Sequence, residues 1–265
     1  MSNINEISKA LISAGEADVI IGYEKGSADK VRAAFITSAE SCDKLIFDER
    51  CNANLAVYLT KKELKKFGKK AIVVRMPGLK SIIALIAEKQ LKADEIIAIA
   101  AKANDEFSVL KSTDEMLAFI HVPDEKKDIN ELVEKIEKMS VEERWYYWQD
   151  QFSKCFKCYA CRAACPLCYC GRCTVDINQP QWISVPSSKT GNLEWHIMRA
   201  MHLAGRCINC NACADACPQG IPLQILTQKL SNEIFKEFHY EAGTSAEQRY
   251  ALSDFNTGDK ENFIK

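Results

Sequence analysis

No apolar run in this chain approaches the roughly 18 residues that a membrane-crossing helix needs. Its opening, "MSNINEISKA", lacks the basic start and apolar core of a secretory signal. The expectation is a cytoplasmic protein with no membrane insertion. Neither charge is in excess: 35 basic against 36 acidic side chains leave a net charge of -1, so no overall field draws the chain to nucleic acid. The one basic run, "KKELKKFGKK" at 61–70, reads as a solvated helix face ahead of a strand. Eleven glycines include neither G-x-G-x-x-G nor G-x4-G-K-[ST], so the dinucleotide fingerprint and the P-loop are both missing. Histidine is scarce at four, and no acid–base dyad or nucleophile–histidine pair stands out. No catalytic residue is assigned on this evidence.

Cysteine is the residue in surplus. Of thirteen, only Cys42 and Cys51 precede residue 155, and the other eleven fall between 155 and 217. In a reducing compartment thiols stay free, so such crowding points to metal rather than to disulfides. Two segments carry one pattern: Cys155, Cys158, Cys161 and Cys165 before Pro166, and Cys207, Cys210, Cys213 and Cys217 before Pro218. C-x2-C-x2-C-x3-C-P is the run in which three cysteines wrap one iron–sulfur cubane and the fourth reaches a second cluster. The expected ligand sets are therefore Cys155, Cys158, Cys161 and Cys217 for one 4Fe-4S cluster, and Cys207, Cys210, Cys213 and Cys165 for the other. Structural zinc uses two C-x2-C pairs and has no need of the further cysteines at these steps. Cys168, Cys170 and Cys173 stay open: a third cluster or a zinc could use them with a fourth ligand from Cys42, Cys51, His196 or His202, or they pack as small hydrophobes.

The rest of the chain divides around this block. Residues 1–122 read as an α/β domain with a mainly parallel sheet: amphipathic "INEISKALIS", apolar "ADVIIGY", "VRAAFI", then strands "AIVVRM" and "DEIIAIA" flanking helical "LKSIIALIAEKQ". Thr37 with Glu40 has capping-box spacing for a short helix, and "STDEMLAFI" opens with another. Residues 123–154 read as a helical linker, with a hinge at Pro123, the helix "DINELVEKIEKM", and Ser140 with Glu143 capping "VEERWYYWQDQF". The aromatics of that last helix are expected to be core, some of them covering a cofactor. Residues 155–240 form a dicluster domain, mostly helical because "NLEWHIMRAMHLAGRC" and "GIPLQILTQKLSNEIFKEF" have helical period. Periodicity weakens from about 231, and residues 241–265 read as an extended tail, loose or laid across a partner.

The stretch "HLAGRCINCNACADACPQGIPLQIL" resembles the helical two-cluster ferredoxin domains of Rnf-type subunits and of heterodisulfide-reductase-associated proteins. The segments "ADVIIGY", "RAAFITSAESCDKLIF", "NLAVYL" and "AIVVRMPGLKSIIALI" are similar to the beta subunits of deazaflavin-reducing hydrogenases and formate dehydrogenases. That resemblance implies a redox role beside flavin and clusters. The missing glycine fingerprint argues against FAD.

The expected function is electron transfer within a larger anaerobic oxidoreductase, relaying single electrons between a catalytic or flavin subunit and another carrier, with other subunits of the redox complex as partners. The alternative is a flavin- or deazaflavin-binding beta subunit whose clusters are an internal relay. A zinc-dependent interaction module is a third class. Cluster potential is not readable, since such clusters span roughly -700 to +450 mV.

Overall fold

In a computed structural model that describes residues 3–102, 106–120, 131–173, 175, 177, 179–248, 250, 252, 253, 257 and 258, the chain divides into two compact units. One comprises Met1–Pro123 with Gly243–Gln248, the other Asp124–Ala242 with Arg249–Lys265.

The first unit opens with α1 (Ile4–Ser13), started by a capping box of Asn3 and Glu6. Its strands are β1 (Val19–Lys25), β2 (Val31–Ile36), β3 (Leu45–Ile46), β4 (Lys70–Val74), β5 (Ile96–Ala101) and β6 (Phe107–Leu110), with α2 (Met76–Ala87) and α3 (Thr113–Ile120). They form one sheet in the order β2-β1-β4-β5-β6, with β3 against β1. The parallel sheet expected from sequence holds only for β1, β4 and β5; β2, β3 and β6 pair antiparallel, so the sheet is mixed. Connection length is the reason: α2 supplies the crossover that parallel β4 and β5 require, whereas 26–30 and 102–106 are too short for anything but a reversal.

Burial follows the apolar runs. Ile20, Ile21, Ile72, Val73, Ile82, Ile83 and Ile99 are fully buried, each contributing about 1.5–3 kcal/mol. Ser112 and Glu115 cap α3 reciprocally as expected. Thr37 and Glu40 do not act as a pair: Ser38 takes the cap position of a 3-10 turn at Ala39–Lys44, and its hydroxyl bonds the Ser41 hydroxyl at 3.2 Å. The basic run folds as a 3-10 turn at Lys62–Leu64 rather than a helix. Its last member, Lys70, is buried and bonded to Gly68 O at 3.0 Å and the Glu95 carboxylate at 3.3 Å.

Among the described residues the second unit's regular structure is all helical: α4 (Glu131–Glu137), α5 (Val141–Ser153), α6 (Ala160–Ala163), α7 (Lys189–His202), α8 (Ala212–Asp215) and α9 (Leu223–Phe238). Ser140 and Glu143 make the expected capping box at α5. On α5, Trp148 and Phe152 pack inward while Trp145 and Tyr146 are exposed. Despite the weaker pattern after 231, α9 runs to Phe238 with Ile234 buried, and ends where His239 turns left-handed. Tyr240 and Ala242 beyond it are buried. Gly243, at φ +80 in the first unit, lies where a Cβ would overlap the Lys80 carbonyl, so only glycine fits. The hinge at Pro123 and the first turn of "DINELVEKIEKM" lie outside the described residues. No described helix is long and apolar enough to cross a membrane.

Candidate metal centre

The two cysteine motifs fold into the same shape. Lys157 and Tyr159 in the first, Asn209 and Asn211 in the second, have left-handed backbone at φ 56, 60, 56 and 60. Lys157 N donates to Cys155 Sγ at 3.3 Å, and Asn209 N to Cys207 Sγ at 3.4 Å. A single helical turn follows each, α6 and α8. Asparagine tolerates this backbone well, whereas lysine and tyrosine are strained in it. Left-handed residues two apart, with an amide of each loop donating to cysteine sulfur, give a backbone that suits anionic sulfur.

The thiols of the two motifs interact electrostatically with one another: Cys155 with Cys158 and Cys217, Cys161 with Cys213, Cys155 and Cys217, Cys207 with Cys213 and Cys210, and Cys165 with Cys168 and Cys207. Cys161 and Cys213, one from each motif, are buried in one apolar group with Phe152, Val175, Trp195, Ile221 and Leu223. Burial pushes the Cys161 thiol up to about 12 against the pull of Arg199. It pushes Cys207 up to about 11. Cys165 is raised because it donates its hydrogen to Cys168; Cys168 accepts that bond and is drawn down to about 6, against its burial, with Arg199 and Arg206 assisting.

α7 supports this region with the polar side of an inverted helix. Asn192, Trp195, His196 and Arg199, at helical spacing on one face, are buried, while Ile197 and Met201 face outward. Asn192 Nδ2 donates to Cys155 O at 2.6 Å and to Phe152 O at 3.2 Å, and Ser187 Oγ donates to the same Cys155 carbonyl at 2.7 Å. Arg199 Nη2 donates to Cys161 O at 3.1 Å. His196 stacks on Phe152 at 4.5 Å and is held neutral, its pKa drawn down to about 3 by burial, then by Arg199 and Lys157. Trp195 Nε1, His196 Nε2 and Arg199 Nε are buried with no hydrogen-bond partner among the described residues. Orphaned N–H donors amid clustered thiols fit a group rich in sulfur acceptors. Of these helix residues only His196 was singled out from sequence, as a candidate ligand; for Asn192, Trp195 and Arg199 the available signal was a helical period whose shared face is polar.

No three His, Cys, Asp or Glu side chains among the described residues gather closely enough for a single ion. A tetrahedral zinc needs four donors about one point, whereas a cubane takes each thiolate at a different iron. Of the remaining trio, Cys168 is hydrogen-bonded to Cys165, exposed Cys170 accepts Arg162 Nη2 on its carbonyl at 3.0 Å, and Cys173 packs against the apolar side chains around Cys161. Cys42 and Cys51 are core residues of the first unit; Cys42 Sγ donates to Ser38 O at 3.7 Å and Cys51 Sγ accepts from Asp48 N at 3.4 Å. His202 is exposed on α7.

No family model matches the chain. It is similar to the F420-dependent formate dehydrogenase subunit beta of Methanocaldococcus jannaschii, 33% identical over 116 residues, which are 42% of this chain and 30% of that protein. It is also similar to the F420-dependent formate dehydrogenase 1 subunit beta of Methanococcus maripaludis, 34% identical over 105 residues, 40% of this chain and 26% of that protein. The likeness thus spans less than a third of either relative's length.

Proposed function

We propose that the chain is an electron-transfer subunit of a larger anaerobic oxidoreductase, carrying two 4Fe-4S clusters in a helical dicluster domain at 155–240, after an α/β domain at 1–122 and a helical segment at 123–154. Cys155, Cys158, Cys161 and Cys217 would hold one cluster, and Cys207, Cys210, Cys213 and Cys165 the other. The observation that carries the reading is the duplicated left-handed loop, in which the same amide of each motif donates to the sulfur of its first cysteine. When bound, such clusters supply one-electron storage with little change of geometry. The chain's own part is to exclude water, through Phe152, Trp195, Ile221 and Leu223, and to aim backbone amides at the sulfurs. Partners would be the neighbouring subunits that deliver and accept electrons, in the cytoplasm.

The function of the two relatives favours a second reading, in which the first unit contributes to a flavin or deazaflavin site and the clusters are an internal relay. One preparation separates them. Anaerobically reconstituted protein should bind about eight irons per chain and no zinc. Its visible spectrum should be the broad absorption of clusters, whereas a structured flavin band would favour the second reading. Iron near about twelve would mark a third cluster on Cys168, Cys170 and Cys173. Zinc without iron would end both readings.

A further inference from the structure

We propose that Arg199 is a positioning residue shared by the two cluster sites, one buried guanidinium whose charge sets both reduction potentials together. This rests on the two-cluster reading above. Arg199 is 7% exposed, and its oxygen acceptor among the described residues is the carbonyl of Cys161, in the first motif, at 3.1 Å. It also acts on the thiols of Cys213, in the second motif, and of Cys168, just beyond the first, and its Nε has no partner among the described residues. Trp195 lies beneath it, with the guanidinium carbon 6.0 Å from the ring centroid.

A buried cation without a counter-charge is strongly unfavourable. Among the described residues Lys70 pairs with the Glu95 carboxylate, whereas buried Lys157, like Arg199, has a carbonyl, Ser184 O. Among the described residues no carboxylate pairs with Arg199. The negative charge that would act on it is that of cysteine sulfur, from Cys168, Cys165, Cys161 and Cys213, beside the place where Cys161 and Cys213 are buried together. Each one-electron reduction adds one negative charge to a cluster and needs no proton here, because arginine keeps its own. A fixed cation between two such sites favours the reduced form of both.

The test is a redox titration followed by the paramagnetic signal of reduced clusters, with dithionite as reductant, on the full-length reconstituted protein and on Arg199→Gln and Arg199→Lys. In Arg199→Gln the ratio of reduced to oxidised cluster at a fixed poise should fall about tenfold at both sites, equivalent to about 59 mV for one electron. Arg199→Lys, which keeps the charge, should lie nearer the parent. If Arg199→Gln takes up no iron while Arg199→Lys does, the need for charge is equally supported. Unchanged potentials in iron-loaded Arg199→Gln, movement of one cluster only, or two variants that behave alike would overturn the proposal. A parent protein that binds no iron would instead overturn the two-cluster reading.

Discussion

Helices α2 and α7 show how differently the two units are built. α2 buries Leu79, Ile82, Ile83 and Leu85 against an aliphatic sheet and completes its core with the chain's own atoms. α7 turns Asn192, Trp195, His196 and Arg199 inward and leaves Ile197 and Met201 in solvent. The ordinary hydrophobic rule accounts for the first, whereas the second is organised by hydrogen bonds to cysteine carbonyls and leaves buried donors without a partner among the described residues.

Stripping the iron from reconstituted protein is the strongest way to test this contrast. Amide exchange across 155–217 should then accelerate by orders of magnitude while β1, β4 and β5 keep their protection, because metal-binding energy is folding energy only where the ligands lie. Equal acceleration in the strands would break the comparison. Ile99→Ala, in the middle of the sheet, should cost about 2–5 kcal/mol in denaturant melts of the first unit while iron per chain stays at the parent value. Iron lost with that cavity would show that the units are not independent. Asn192→Ala removes the donor to Cys155 O and Phe152 O and should cost the second unit about 1–3 kcal/mol. A change seen instead in the transition of the first unit would contradict its assignment.

The smallest effect concerns pH in the first unit. Arg50 grips Asp48 through its side chain and its backbone N–H and holds the carboxyl at about 2, below its ordinary 3.8. A depressed carboxylate stabilises fully above its unfolded pKa and loses that contribution as pH falls through the folded value. Parent and Asp48→Asn melting temperatures should therefore differ most above pH about 4 and converge toward pH about 2. A difference that does not vary over that window would remove Arg50 as the cause.

Much of the regular structure is legible in the residues. Continuous apolar runs became β1, β4 and β5, and the spacing of Ser112 with Glu115 and of Ser140 with Glu143 became capping boxes, because local hydrogen bonds and burial on both faces leave local marks. The antiparallel edges were not legible, since strand direction depends on connection length and on partners far along the chain. Thr37 with Glu40 had the right spacing one residue too early, and Ser38 took the cap position without a capping bond from its side chain.

The cysteine spacing alone determined which eight thiols are candidates and in what sets, because bite and reach between ligands are properties of a few consecutive residues. Only the tertiary structure decided that α7 points its polar face inward and that its Arg199 reaches the Cys161 carbonyl. Those choices depend on which distant surfaces meet, and side-chain charge in a dry interior is governed by what it meets there rather than by its neighbours in sequence.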